Sequence, residues 1–211
     1  MVDRLKVLYF LEDRAQEQFM LSLVERIASE VGIPGQVLLS TVMSSRGGST
    51  VLEEFGKFAR DRRKAGVAGA AMIVVAVDGD CQGHAEKASQ LLKKVKHTDP
   101  FRDILVFAIP DPHIERWYLV DQVALKKAAG LKHGIAPPPY KCQRAYYKKL
   151  LRDALREQDI SSYDGSEFGA EIARDISDLH AAGEQDPSFA KFVEEVKRVL
   201  RRAYRGAVPD R

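Results

Sequence analysis

Three observations predict an α/β fold built on a parallel, mostly four-stranded sheet flanked by helices. Apolar, β-rich runs alternate with amphipathic segments through the first half of the chain. Those runs are almost continuously apolar, the pattern of strands covered on both faces. After residue 141 only helical periodicity remains, which adds a C-terminal helical extension to the sheet.

LKVLYFL (5–11) is the first strand. RAQEQFMLSLVERIASEVG (14–32) sets Phe19, Leu23, Val24 and Ile27 on one helical face and stops at Gly32. QVLLSTVM (36–43) is the second strand. The loop SSRGGST follows, where Ser49 or Thr50 is placed to cap the helix VLEEFGKFARDRRKAG (51–66). AAMIVVAV (70–77) and DILVFAIP (103–110) are the third and fourth strands, with HAEKASQLLKKVK (84–96) helical between them. IERWYLVDQVALKKAAG (114–130) reads as one helix. HGIAPPPYK (133–141) breaks the pattern, which divides the chain into an α/β domain over 1–132 and a helical extension over 133–211 that packs on it. The extension holds CQRAYYKKLLRDALREQ (142–158), SEFGAEIARDISDLHAAG (166–183) and SFAKFVEEVKRVLRRAYRG (188–206). In the last of these, Phe189, Phe192, Val193, Val196, Val199 and Leu200 form an apolar stripe of the kind that faces a core.

Bulk composition narrows the classes. The 211 residues suffice for one substantial core with a helical appendage, and shares of 45% apolar and 30% charged residues are those of an ordinary globular protein. The longest apolar run, 67–77, is too short to cross a bilayer, so no membrane partner is expected. The N-terminal apolar run meets an acidic residue at once and lacks a small-residue cleavage site, so no signal peptide is expected. With Cys81 and Cys142 alone a disulfide framework is not needed, which fits a reducing cytoplasm. The net charge of +3 excludes little. Its local basic runs, at 57–64, 93–97, 140–152 and 197–205, are either solvated helix faces or surfaces that meet phosphate.

In open parallel sheets, ligands collect beyond the carboxyl ends of the strands. Strand one delivers Glu12 and Asp13 there, strand three Asp78 and Asp80, and strand four Asp111, His113 and Glu115. Strand two delivers Arg46 and glycines, a weak anion-binding signal. If extended geometry persists through Gly79, Asp78 and Asp80 point to the same side. Two carboxylates that close repel unless a cation sits between them, and hard oxygen ligands select Mg²⁺ or Mn²⁺. On this reading Glu12, Asp78 and Asp80 form the metal set. The competing reading is a turn in which an aspartate caps the following helix. His113 is either an acid–base or metal-site residue or a loop side chain. Cys81 has no second Cys or His at zinc spacing and reads as small and semi-buried.

A Glu that ends the first strand and an Asp-x-Asp that ends the third together resemble the Toprim domain, the metal-dependent catalytic fold of topoisomerases, primases and overcoming-lysogenization-defect nucleases. The resemblance covers about residues 5–121. More closely, LEDRAQEQF, VDGDCQG and AIPDPHIERWYLVD are similar to a Toprim-like family found beside ATPases in phage-defence or mobile-element loci, and the tail segments EFGAEIARDI and DPSFAKFVEEVKRV fit that group. The resemblance implies Mg²⁺-dependent nuclease chemistry, with Glu12 as general acid or base and Asp78 and Asp80 as metal ligands. It places Glu115 and Asp121 at the acidic positions around the third motif's tryptophan, with Glu115 counted among the catalytic candidates. Trp117 is expected to pack its helix against the sheet. One departure stands out: the family usually has Glu-Gly where this chain has Glu12-Asp13.

The expectation is therefore a cytoplasmic, Mg²⁺- or Mn²⁺-dependent nuclease-like protein that hydrolyses phosphodiesters of DNA or RNA, with a partner ATPase and with homo-oligomerisation left open. The alternative is a non-catalytic module that regulates a partner ATPase through its C-terminal helices, the acids being vestigial. A haloacid-dehalogenase- or receiver-like phosphotransfer site ranks below both, because Asp78 has no matching Lys or Thr at the other strand ends.

Overall fold

The structure, a computed structural model, describes residues 4–12, 15–35, 38–44, 50–61, 67–136, 138–143, 145–162 and 165–207. Asp13, Arg46, Ser49 and the 62–64 part of the first basic run lie outside the described residues. Strands β1 (Leu5–Leu11), β2 (Leu38–Ser44), β3 (Ala70–Ala76) and β4 (Leu105–Ala108) pair in the order β2-β1-β3-β4, and every pairing is parallel. The α/β class, the four-stranded parallel sheet and the helical C-terminal region follow the sequence pattern.

Side-chain alternation sorts the sheet into two buried faces. Val7, Tyr9, Leu11, Met72, Val74, Ala76, Val106 and Ala108 join one apolar cluster; Leu8, Phe10, Ile73, Val75, Leu105 and Phe107 join the other. The first face is covered by α1 (Ala15–Glu30), where Phe19, Leu23, Val24 and Ile27 are all fully buried, as their spacing predicts. The second is covered by α2 (Val51–Arg60) and α3 (His84–Leu92) through Phe55, Phe58 and Leu91.

The later helices complete the first face. After α4 (Glu115–Tyr118) and α5 (Gln122–Ala129) come α6 (Tyr146–Glu157), α7 (Gly169–Asp175), α8 (Leu179–Gln185) and α9 (Pro187–Ala207). The stripe Phe189, Phe192, Val193, Val196, Val199 and Leu200 is buried in the same cluster as β1, β3 and β4. The apolar face of α9 is thus taken up by the chain's own sheet.

Two predicted helices are each divided by an aspartate. Asp121 Oδ1 accepts from the backbone N–H groups of Val123 and Ala124, starting α5 anew, and Asp178 does the same for His180 and Ala181 at α8. Thr50, by contrast, makes no side-chain cap on α2. Among the described residues no helix is long and apolar enough to cross a membrane.

The cysteines depart from expectation. Cys81 and Cys142 form a disulfide across a sequence separation of 61, and both are exposed, Cys81 included. A cross-link of that span stabilises by about 4 kcal/mol if it acts by restricting the unfolded chain. The two cysteines are thus joined, although the sequence pattern implies no need of a disulfide framework.

Trp117, the single tryptophan, is fully buried between Phe189 and Phe192, and its Nε1 donates to Ser188 Oγ at 2.9 Å. It packs its helix against the core, as expected. Replacing Trp117 with Ala is expected to lower the unfolding free energy by about 3–5 kcal/mol in urea titration, whereas Val123→Ala should change it by less than about 0.5 kcal/mol. Val123 is 71% exposed, so it serves as the control.

Candidate active site

The chain leaves β1 on one side, through α1 to β2, and leaves β3 on the other, through α3 to β4. The strand order thus reverses between β1 and β3, the position where doubly wound sheets open a crevice at their carboxyl rim. Glu12 and Asp78 stand there. Leu11 pairs with Ala76, the Glu12 N–H donates to the Ala76 carbonyl at 2.9 Å, and the Asp78 N–H donates to Glu12 Oε2 at 2.8 Å. Residues 66 apart in sequence are joined directly.

The Asp78 carboxylate is enclosed, with its side chain 19% exposed. Oδ1 accepts from Gln16 Nε2 at 3.1 Å, and Oδ2 lies 3.0 Å from His113 Nδ1. Gln16 sits in the first turn of α1 and is fully buried. Burial raises the Asp78 pKa to about 6; the His113 contact opposes that rise, and the nearby Glu12 and Glu115 charges add to it. His113 is raised in turn, chiefly by its hydrogen bond to Asp78 and against the effect of its own burial. The two form a coupled acid–imidazole pair on adjacent strand ends.

Asp80 goes elsewhere. β3 ends at Ala76, and Asp80 and Cys81 adopt left-handed backbone angles, φ 49° and 64°. The extended geometry that would align Asp78 with Asp80 stops before it reaches them. Asp80 N donates to Pro112 O at 3.0 Å, and its Oδ2 takes the Lys87 ammonium at 2.8 Å. Lys87 is nearly buried, whereas half of Asp80 faces water. The expected side-by-side pair is therefore divided: Asp78 meets α1 and His113, and Asp80 meets α3.

Gly79 has a reason of its own. A Cβ there would lie 2.7 Å from Asp111 Oδ1 and 2.9 Å from Asp111 Cβ. The glycine admits the Asp111 side chain, whose Oδ1 accepts from Cys81 N at 2.9 Å and whose Oδ2 accepts from Tyr140 Oη at 2.9 Å. The Asp111 carbonyl accepts from Arg116 Nη1 at 2.8 Å, and Arg116 Nε pairs with Asp186 Oδ2 at 2.9 Å. Asp186 in turn accepts from the first amides of α9, so Arg116 ties the rim to that helix. Beside Asp111 lies a cleft of about 670 Å³ lined in part by His84, Arg116, Tyr140 and Lys191.

Of the residues singled out from sequence, Glu12, Asp78 and His113 come together, and Glu115 lies close enough to raise both Asp78 and His113. Asp121 does not join them; besides capping α5 it accepts from Ser177 N and Oγ. Burial pushes its pKa up, but these hydrogen bonds outweigh that and leave it below the ordinary carboxylate value. Gln16, Lys87, Arg116 and Tyr140 escaped the sequence reading. Each is a single polar residue whose partner lies on another element.

Glu12 and Asp78 supply adjacent hard oxygen donors, which suits Mg²⁺ or Mn²⁺. Asp80, held by Lys87, does not add a third as it is placed. Among the described residues no group of three or more His, Cys, Asp or Glu side chains is arranged to hold a metal ion. Compared with models of known protein families, with curated proteins and with solved structures, the chain matches none.

Because the folded-state pKa of Asp78 lies above the free value, its favourable contribution is complete below about pH 4 and is lost as pH rises through about 6. Asp78→Asn should therefore stabilise the chelator-treated protein at pH 8 by roughly 2–3 kcal/mol. The gain should disappear below pH 4. Urea unfolding of both proteins across that range measures it.

Proposed function

We propose that this protein is a metal-dependent phosphodiester-cleaving enzyme of Toprim-like type, acting on DNA or RNA. The observation that carries this reading is the convergence of Glu12 and Asp78 at the switch point of a parallel sheet, with His113 bonded to Asp78. Glu12 and Asp78 would hold a Mg²⁺ or Mn²⁺ ion, with waters and phosphate oxygens as its other ligands. Such an ion, when bound, neutralises phosphate charge and makes attached water a better nucleophile.

The chain's own groups do the rest. His113 takes up a proton more readily than free imidazole and is half-buried, so it can carry one to a leaving oxygen while Asp78 holds its ring. Gln16 fixes the other Asp78 oxygen and so sets the orientation of the carboxylate. Lys191 lines the cleft that Asp111 shares with the rim, with its side chain 58% exposed, and supplies a cation for a phosphate backbone. Phage-defence or mobile-element biology with a partner ATPase belongs to this reading through the resemblance alone.

One observation favours a second reading, a non-catalytic module that regulates an ATPase. Asp80 is already neutralised by Lys87, so the rim is self-satisfied on that side. The apolar stripe of α9 is buried, however, which leaves such a module its polar helix faces for contact.

Incubation of plasmid and tRNA with Mn²⁺ or Mg²⁺ tests the proposal. Wild type is expected to cleave, Asp78→Ala to lose at least about 100-fold, and His113→Gln to lose roughly 100-fold while it still binds metal by calorimetry. Cleavage unchanged in Asp78→Ala would discard the site, and absent metal binding would favour the module.

A further inference from the structure

The disulfide is placed where it can control the rim. Cys81 follows Asp80 in the turn after β3, and Cys142 lies on the segment that follows the proline-rich break. Residues 139–143 are all exposed, so little apolar burial holds this segment down. Among the described residues its ties to the rest are polar and specific, the Lys141 ammonium 4.7 Å over the Tyr146 ring among them. Tyr140 Oη donates to Asp111 Oδ2, the Arg116 guanidinium lies 4.7 Å over the Tyr140 ring, and Lys141 N donates to Tyr147 Oη at 2.9 Å. The other Asp111 oxygen accepts from the Cys81 N–H. Asp111 thus stands between the two halves of the cross-link, and the segment forms a wall of the 670 Å³ cleft through Tyr140.

We propose that Cys81 and Cys142 form a reversible thiol–disulfide latch that closes segment 138–143, and with it Tyr140, over Asp111 and the adjoining cleft. Both cysteines are exposed, so a reductant can reach the bond. The reductant is a dithiol. Its thiolate attacks one sulfur and displaces the other as a thiolate; its second thiol then closes on the mixed disulfide and releases the first. Two electrons pass from the dithiol, which becomes a disulfide, and Cys81 and Cys142 each end as thiols with one proton. Without the cross-link, the ties left among the described residues are the Tyr140 hydroxyl, the Arg116–Tyr140 and Lys141–Tyr146 ring contacts and the amide bonds Lys141 N to Tyr147 Oη and Tyr146 N to Gln143 O, and these must hold an exposed segment. The segment then lifts, frees Asp111 Oδ2 and widens the cleft. The latch rests on the placement of this segment alone, so it stands or falls apart from phosphodiester cleavage.

Limited trypsin digestion reads the latch directly, because Lys141 lies exposed in the segment next to Cys142. In wild type oxidised with diamide, cleavage after Lys141 is expected to be slow. Dithiothreitol should speed it at least tenfold with the circular dichroism spectrum unchanged, and renewed diamide should reverse the effect. Cys142→Ser should be fast throughout and insensitive to either reagent. Equal cleavage rates in the oxidised and reduced wild type overturn the proposal. So does loss of the folded spectrum on reduction, which makes the bond a structural staple, and so do two free thiols that persist after diamide. Because the comparison can be made on wild type alone, it stands even if the serine variant does not fold.

Discussion

The register of β1 against β3 is the constraint from which the site follows. Lys6 pairs with Ala70 but Val7 pairs with Met72, so one residue of β3 is taken up in a bulge near the start of the ladder. From there the strands run in step to Leu11 and Ala76. That slip decides which side of the rim receives which residue, since a shift of one would exchange the two faces of the sheet. With the register as it is, Glu12 emerges level with the end of β3 and its carboxylate closes on the Asp78 amide. The backbone of one strand and the acid of the other are locked together before any ligand is considered.

The rim then has to accommodate several acids in partly buried positions, and it does so by giving each a partner from a different element. Asp78 takes Gln16 from α1 and His113 from the segment after β4. Asp80 takes Lys87 from α3. Asp111 takes the Cys81 amide and the Tyr140 hydroxyl. Asp186 takes Arg116. An unpartnered carboxylate in any of these places would be driven to protonate or to find water. The pairing therefore braces the crevice as well as neutralising it, because bonds from α1, α3, α4 and the 138–143 segment all reach the strand ends.

What the sequence shows clearly is what depends on local pattern. The strands are legible because parallel strands buried on both faces are apolar throughout, and α1 and α9 because their stripes repeat at the helical period. Asp121 and Asp178 were legible in principle, since an aspartate before a periodic run is a helix-start signal, but the apolar pattern on either side ran on and masked the break. The rim was read only in part. Glu12 and Asp78 follow from strand ends, but the pairing of Asp80 depends on two left-handed residues that no non-glycine sequence advertises. The contacts of Gln16 with Asp78, of Tyr140 with Asp111 and of Cys81 with Cys142 span 62, 29 and 61 residues. Nothing in a single sequence links positions so far apart. Asp13, which follows Glu12, lies outside the described residues.

The two aspartates that end β3 are best understood as having different tasks. Lys87 is nearly buried, with its side chain 6% exposed, and Asp80 is its counter-ion. Removing that counter-ion would strand a nearly dry ammonium, which costs on the order of 3–5 kcal/mol in fully buried pairs and less here, where half of Asp80 meets water. Asp80 is thus explained by the helix it anchors, with no appeal to a ligand. Asp78 has no such explanation. Its partners are a neutral amide and an imidazole, its burial raises its pKa, and two further acids sit within electrostatic reach. A chain selected for stability alone would gain by neutralising that position, since an amide would keep the shape and shed the charge. Asp78 therefore differs from Asp80 in having no buried ammonium to offset its charge, and on the proposed reading it is this position, and not the Asp-Gly-Asp turn as a whole, that would do the chemistry.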